Sequence, residues 1–177
     1  LSFLDETGLA KNTLVIYSSD QGFFTGEHGW AEKRWMYEES FKSPLLMRWP
    51  GVIKPQTRIS ELVQNIDLAP TLIQVAGLPI PKSVHGLPLQ PILLGKKTKS
   101  WRKDLLYQYF DGGTPENRGP YNMPRHEGVR GTRYKLISFY EYGQWELYDL
   151  QTDPREVNNL IKDSDMKPQI KRLKKRL

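Results

Sequence analysis

Asp20 and Gln21 are the residues of this chain whose types and position could hold a metal ion. They follow the apolar run "TLVIYSS" directly and stand before Gly22. A carboxylate and an amide carbonyl are hard oxygen donors, which suit Ca²⁺ or Mg²⁺ and suit Zn²⁺ poorly. Because Ca²⁺ binds roughly 6 to 8 oxygens, the remaining ligands must come from elsewhere. The alternative is a simple turn, in which Asp20 closes an Asx turn and Gly22 supplies a positive φ.

His28 and Lys33, which follow in "GEHGWAEK", could take part in the same chemistry. An ammonium group near a divalent cation is favourable only where both face a shared anion. Lys33 would then bind phosphate or sulfate and could protonate a leaving oxygen. The alternative for Lys33 is a solvent-facing side chain on a short helix. His28 could support catalysis or be a hydrogen-bonded structural group.

The segments around these residues predict the elements that position them. The run before Asp20 lacks alternation, which predicts a strand covered on both faces, as in a parallel sheet. A second such run, "PLLMRW", ends at a Pro-Gly turn signal. Ligands of open α/β sheets sit beyond the carboxyl ends of parallel strands, where Asp20 and Gln21 stand. The long connection between the two runs indicates a functional loop or a short helix.

One helix and three strands are predicted further along the chain. Asp67 is the expected N-cap of a helix that stops at Gly77. From Trp101 onward, alternating and aromatic segments predict strands in "DLLYQYF", "VRGTRYKLISFY" and "QWELYDL", the last two joined by a turn. Residues 111–130 are rich in glycine and proline and predict a long loop.

Composition narrows the function classes. The chain has 177 residues, a formal net charge of +6 and no cysteine, which excludes disulfides and thiolate metal sites. No apolar run approaches the roughly 20 residues of a membrane span. Much of the basic excess lies in a C-terminal segment where Ile170, Leu173 and Leu177 recur at helical spacing. A solvated helix with one apolar face is favoured there over a polyanion-binding arm, so no nucleic-acid or membrane partner is expected.

Several motifs occur in the order found in type I sulfatases, and the chain resembles the C-terminal part of their catalytic domain. The motifs are "LVIYSSDQGFFTGEHGWAEKRWMYEESFKSPLLMRWPGVI", "VQNIDLAPTLIQVAGLPIP", "HGLPLQPILLG", "VRGTRYKLI" and "WELYDLQTDPREVNNL". The resemblance implies an α/β fold of the alkaline-phosphatase-like superfamily. Residues 1–100 would form the C-terminal part of the α/β sandwich, and residues 101–177 a small antiparallel sheet with a C-terminal helix.

The resemblance also implies roles for individual residues. Asp20 and Gln21 match ligands of an active-site Ca²⁺, and Lys33 matches a lysine that contacts the sulfate group. His28 matches a histidine that supports the site. His126 and Arg130 lie where some sulfatases place substrate-recognition residues. For Arg130, together with Arg133, a surface pair on a strand is the alternative.

Other parts of a sulfatase site have no counterpart in this sequence. The family's nucleophile is a formylglycine made from Cys or Ser in a C/S-x-P/A-x-R motif, and this chain contains no such motif. The family's Asp-Asp metal pair is also missing. We therefore expect the nucleophile and the remaining Ca²⁺ ligands in an N-terminal part of the same protein, outside this chain. The 177-residue chain alone is expected to be inactive.

The implied function is hydrolysis of a sulfate ester, and polar and aromatic residues in the 111–130 loop favour a carbohydrate sulfate. One alternative is a phosphoesterase or phosphonate hydrolase of the same superfamily, which Gln21 in place of histidine disfavours. Another is a non-catalytic polyanion-binding module, whose salt-sensitive binding would survive Asp20→Ala and Lys33→Ala. No N-x-S/T sequon occurs, which favours a bacterial enzyme exported to the periplasm or the medium.

Overall fold

A computed structural model of the chain describes residues 1–96, 98, 100–111, 116–117 and 123–177. The chain forms two compact units. Unit 1 comprises Leu1–Asp20 and Pro44–Arg102, and unit 2 comprises Gln21–Ser43 and Lys103–Leu177. The change of unit after Arg102 lies close to the predicted domain boundary. Residues 21–43, which were expected in the first domain, group with the second unit instead.

Short helices and short strands precede Asp104, where a four-stranded sheet begins, and a helix follows the sheet. In chain order the elements are α1 Ser2–Glu6, β1 Val15–Ser18, β2 Phe24–Thr25, β3 Ala31–Glu32, α2 Glu38–Phe41, β4 Leu45–Arg48, α3 Leu68–Val75, α4 Gln90–Leu93, β5 Asp104–Tyr109, β6 His126–Gly131, β7 Tyr134–Phe139, β8 Gln144–Asp149 and α5 Lys167–Lys174. Single 3-10 turns cover Leu9–Asn12, Glu27–Gly29, Asn65–Asp67 and Ser164–Met166.

In unit 1, the two apolar runs form the predicted strands β1 and β4, but these pair with each other and not in the parallel arrangement that the runs indicated. The strands pair antiparallel, with Val15 opposite Arg48 and Ser18 opposite Leu45. Tyr17 is 63% exposed and Leu46 is 66% exposed. The pair is therefore not covered on both faces by the described residues of unit 1.

Asp67 lies where the sequence predicted it, before helix α3, but its carboxylate does not cap that helix. It accepts hydrogen bonds from the backbone N–H groups of Gln64 (2.7 Å) and Leu87 (2.8 Å) and binds the guanidinium of Arg102. The carboxylate is fully buried, and these donors compensate its desolvation. Asp67 thus joins three separate segments of unit 1 above a core built from Leu89, Ile92 and Leu93.

The predicted antiparallel sheet in unit 2 has the strand order β5-β6-β7-β8. The turn between β7 and β8 is confirmed, and Gly143 has a φ of 64° there. Two boundaries differ from the prediction. "VRGTRYKLISFY" contains the end of β6 and all of β7, and the predicted 111–130 loop ends before His126, where β6 begins. Residues 112–115 and 118–122 of that loop lie outside the described residues.

Alternation along the strands gives the sheet two apolar faces, because successive side chains point to opposite sides. On one face, Leu173 of the predicted helix α5 packs against Leu136 and Leu147. On the other face, Phe24, Met36 and Tyr37 pack against Ile137, Phe139 and Tyr148. Gly128 permits this second contact, since a Cβ atom there would come within 2.2 Å of the Met36 sulfur. The sheet thus carries the 21–43 segment, which contains His28 and Lys33.

Candidate active site

Asp20 and Gln21 lie at the end of β1, as the strand pattern predicted. The Asp20 side chain is in solvent, and its Oδ1 accepts a hydrogen bond from the Ser19 hydroxyl at 3.2 Å. The backbone carbonyl of Asp20 is bound by the Asn65 side-chain amide at 2.5 Å. The carboxylate therefore forms no Asx turn with the described backbone, and its other lone pairs face solvent. Gln21, which begins unit 2, is half-buried.

Gly22 is required here by close packing, and the positive φ offered as an alternative is wrong. A Cβ atom at this position would lie 2.0 Å from the carbonyl oxygen of Glu39 and 2.9 Å from that of Lys42. The backbone N–H of Gly22 donates to the carbonyl oxygen of Ser40 at 2.9 Å. The residue that follows Gln21 is thus held directly against the backbone of α2.

Lys33 lies in a bend after the β2–β3 hairpin, so its predicted alternative place on a short helix is wrong. Its neighbours Glu32 and Arg34 have φ values of 75° and 92°, in the left-handed region that residues other than glycine seldom occupy. Lys33 is half-buried, and its ammonium makes no ion pair within the described part of the chain. An ammonium in a strained segment without a counter-ion is suited to binding an anion.

The imidazole of His28 is held in one orientation. Its Nε2 lies 3.5 Å from Oε2 of Glu39, and both side chains are largely covered, at 16% and 18% exposed. The ring stacks on Tyr37 with centroids 4.5 Å apart and contacts Phe24 edge-on at 6.1 Å. The position of the His28 ring is therefore set by Glu39, Tyr37 and Phe24 together.

Stacked aromatic rings support the segment that contains His28 and Lys33. Trp35 is the central ring, with centroid distances of 4.8 Å to Trp30 and 5.7 Å to Phe139 of β7. The Tyr107 hydroxyl of β5 donates to the backbone carbonyl of Arg34. The segment is therefore anchored to the sheet directly after Lys33, at Arg34 and Trp35.

The structure places His126 and Arg130 on β6. His126 packs among aromatic rings, and Arg130 forms an ion pair. The His126 ring is buried, contacts Trp35 and Phe139, and has its Nδ1 3.0 Å from the Pro124 carbonyl oxygen. Burial lowers the pKa of His126 against the opposing effect of nearby backbone carbonyls, which favours the neutral ring. The Arg130 guanidinium lies 3.2 Å from Glu38 and is 17% exposed. Substrate recognition by these two residues stays a prediction.

Arg130 and Arg133 do not form the surface pair that was the alternative for them. Arg133 binds the carboxylate of Asp149 at 2.6 Å and is 48% exposed, whereas Arg130 is largely covered. The two cations thus contact different carboxylates.

A buried ion cluster, which sequence reasoning missed, lies beside α2. We call it the Glu38–Lys135–Glu156 cluster. The Lys135 ammonium is fully buried, donates a hydrogen bond to the Met36 carbonyl at 2.6 Å, and forms ion pairs with Glu38 at 2.8 Å and with Glu156 at 2.9 Å. The two carboxylates compensate the burial of the ammonium charge. A lysine between the apolar residues of "YKLIS" was the one signal that could have indicated it.

The pKa values of the two carboxylates in this cluster are shifted in opposite directions. Burial would raise the pKa of Glu38, but Lys135 and Arg130 outweigh it and hold that pKa at about 2. Burial dominates for Glu156 and raises its pKa, although Lys135 opposes this. Glu156 is covered on all sides, whereas Glu38 has two cationic partners.

Acidification is expected to destabilise unit 2 through Glu38. Because the pKa of Glu38 is about 2 in the folded state against 4.5 ordinarily, its stabilisation is present above pH 4.5 and is lost as the pH falls through 2. The difference corresponds to about 3 kcal/mol. Thermal midpoints measured from pH 5 to 2 should fall less steeply for Glu38→Gln than for the unmodified protein or for Asp165→Asn, an exposed control. Parallel curves for all three would contradict the assignment.

Several cations in helix α5 and in the residues after it have partners within unit 2. Arg176 binds Asp104 at 3.0 Å, and Arg172 lies 3.8 Å from the same carboxylate. The Lys174 ammonium lies 3.8 Å from the centroid of the Trp145 ring. These contacts agree with the prediction of a helix that packs through one face. Among the described helices, none has the length and apolar character needed to cross a bilayer.

Asp20 and Gln21 fit one corner of a hard-cation site. Within the described ranges, no three His, Cys, Asp or Glu side chains are grouped so that they could hold a metal ion. The two residues offer a solvent-facing carboxylate and an amide oxygen, both of the donor type that Ca²⁺ prefers. They could therefore hold Ca²⁺ only together with ligands from outside the described residues.

Comparison with known proteins shows which family this chain is similar to. A family model described as "N-sulphoglucosamine sulphohydrolase, C-terminal" matches residues 26–177. An N-acetylglucosamine-6-O-sulfatase of Bacteroides thetaiotaomicron is 42% identical over 164 residues, which cover 91% of this chain and 28% of the relative. The match thus includes nearly all of this chain but less than a third of the relative.

Two solved structures share the fold. BT4656, solved in complex with its substrate D-glucosamine-2-N,6-O-disulfate, is 39% identical with a TM-score of 0.90, and the match covers 100% of this chain and 35% of that one. The phosphonate monoester hydrolase of Silicibacter pomeroyi is 27% identical with a TM-score of 0.81, covering 99% of this chain and 36% of that one. Both similarities agree with the predicted alkaline-phosphatase-like fold.

Proposed function

Because this chain belongs to the sulfatase family described as "N-sulphoglucosamine sulphohydrolase, C-terminal", we propose that it is part of an enzyme that hydrolyses sulfate esters of glucosamine-type sugars. Lys33 is the observation that carries the proposal: a half-buried residue whose ammonium makes no ion pair with the described residues, in the same short segment as Gln21 and His28. A sulfate group supplies the anion that this ammonium lacks. The complete activity belongs to the longer protein.

Each residue of the candidate site has a role in this proposal. Asp20 and Gln21 would hold Ca²⁺ together with ligands outside this chain. When bound, the ion would neutralise charge on the sulfuryl oxygens. Lys33 would contact the sulfate group and stabilise negative charge as the leaving oxygen develops it. His28, oriented by Glu39, would hold a proton close to the same group.

The remaining parts of the site would lie in the rest of the protein. These are the formylglycine nucleophile and the other Ca²⁺ ligands, so the chain by itself would be inactive. Export from a bacterial cell stays a prediction.

A sugar sulfate is the proposed substrate class because of the relatives. The Bacteroides relative is named for N-acetylglucosamine 6-O-sulfate, and BT4656 was solved with a glucosamine that carries N- and 6-O-sulfates. We therefore place the 6-O-sulfate of a glucosamine first among the candidate esters. The alternative of a phosphonate hydrolase has less support, because the structure with that activity is 27% identical and the sulfatase of Bacteroides is 42% identical.

The test is a substrate comparison with the full-length protein that contains this chain. Sulfate release from N-acetylglucosamine 6-sulfate is expected to exceed hydrolysis of a phosphonate monoester in kcat/KM. Asp20→Ala should raise the Ca²⁺ concentration needed for half-maximal thermal stabilisation by at least tenfold, because one charged ligand is lost. A preference for the phosphonate, or Ca²⁺ binding that Asp20→Ala leaves unchanged, would overturn the proposal.

A further inference from the structure

Helix α2 contacts the neighbours of two candidate site residues. It spans only Glu38–Phe41. Its Ser40 accepts two hydrogen bonds, one at the backbone carbonyl from the N–H of Gly22 (2.9 Å) and one at the hydroxyl from the N–H of Arg34 (2.9 Å). Gly22 follows Gln21, and Arg34 follows Lys33. One buried serine therefore holds the backbone next to a candidate metal ligand and next to the candidate sulfate-binding lysine.

The same helix orients the imidazole of the site. Glu39, the residue before Ser40, lies 3.5 Å from His28 Nε2. All three functional positions of unit 2 are thus attached to one turn of helix. A helix of this length is unstable by itself, because the cost of nucleation is not recovered over four residues, so tertiary contacts must fix its position.

Those contacts come from the Glu38–Lys135–Glu156 cluster. The Glu38 N–H, which has no partner inside the helix, donates to Glu156 Oε2 at 2.6 Å. The Glu38 carboxylate binds Lys135 on β7 and Arg130 on β6. Glu156 itself is buried and has a φ of 52°, so its own backbone is held in a strained conformation. Two cations and two carboxylates therefore attach α2 to the sheet and to the segment after β8.

We infer that Lys135 and Glu156 are positioning residues for sulfate-ester hydrolysis: they fix helix α2, and α2 fixes Gln21, His28 and Lys33. This inference rests on the proposed function. The cluster needs no contact with substrate for this role. Its effect passes through Ser40 and Glu39 to groups whose placement within about 1 Å decides the rate of the reaction.

The test compares two carboxylate-to-amide substitutions in the full-length protein. Glu156→Gln keeps the shape of the side chain and weakens its bonds to Lys135 and to the Glu38 N–H. Asp149→Asn is the matched control, since Asp149 is also buried and paired with a cation, Arg133, but its carboxylate forms no ion pair with α2 among the described residues. Well below the melting temperature, Glu156→Gln is expected to lower kcat by roughly 10- to 100-fold. Asp149→Asn should leave kcat within about twofold even if it lowers stability.

A double variant shows whether Glu156 acts through Lys33. In the Lys33→Met background, Glu156→Gln should cost clearly less activity than in the unmodified enzyme, because the group that it positions is already absent. Full additivity of the two losses would overturn this part of the inference. The comparison also separates the two proposals: if Lys33→Met itself leaves sulfatase activity unchanged, the proposed function fails first.

Hydrogen exchange provides a readout that is independent of activity. The amides of Gly22 and Arg34, which donate to Ser40, are expected to lose protection in Glu156→Gln and to keep it in Asp149→Asn. Should Glu156→Gln fail to fold, Ser40→Ala removes the hydroxyl acceptor of the Arg34 N–H alone and should also lower kcat. Unchanged exchange together with unchanged kcat would overturn the inference.

Discussion

Replacement of Lys33 by methionine is expected to lower kcat for sulfate-ester hydrolysis by about 10²- to 10³-fold in the full-length enzyme. Lys33 is half-buried, and its ammonium makes no ion pair with the described residues, so it is available to the sulfate group. The negative charge on the leaving oxygen grows in the transition state, and loss of the cation therefore affects kcat more than KM. Steady-state kinetics with N-acetylglucosamine 6-sulfate would measure both constants.

The stability of the same variant serves as its control. Lys33 leaves no carboxylate of the described residues uncompensated, so Lys33→Met should change the free energy of unfolding of unit 2 by no more than about 0.5 kcal/mol. An unchanged kcat, or a loss of activity that follows a loss of folded protein, would contradict the role assigned to Lys33.

The second large effect is expected from the same substitution at Lys135. Lys135→Met should destabilise unit 2 by about 3–5 kcal/mol, because it leaves two buried carboxylates without their shared cation. The free energy can be measured in the intact protein from the exchange of the most protected amides of β7. An effect below about 1 kcal/mol would show that the cluster does not hold the unit together.

Partial recovery of stability in a double variant would identify unpaired charge as the cause of the destabilisation by Lys135→Met. If the destabilisation comes from unpaired carboxylates, adding Glu156→Gln to Lys135→Met should recover part of it, since one buried charge is removed. A cavity or a packing defect at Lys135 would not be relieved by that second change. The same substitution is thus expected to have different effects at the two lysines. Lys33→Met should lower activity, whereas Lys135→Met should lower stability.

The sequence by itself was sufficient for the family, for strands β1, β4, β5 and β8, for helices α3 and α5, and for the position of Asp20 and Gln21 at the end of β1. These features are local: an apolar run that stops at Asp20-Gln21, alternation along β7 and β8, and helical spacing at the C-terminus. Local patterns reflect which side chains a strand or helix buries, so they can be recognised without knowing the partner. Ordered motifs over most of the chain then indicated sulfatases, and the comparisons agree.

Only the tertiary structure decided how those residues are held. The contacts of Lys135 with Glu38 and Glu156 join segments far apart in the chain, and nothing in the local sequence specifies which carboxylate meets which cation. The same reason explains two errors. The antiparallel pairing of β1 with β4 and the close approach of Gly22 to Glu39 both depend on a distant backbone. Spacing and residue type indicated what the site can bind, whereas long-range packing determined its geometry.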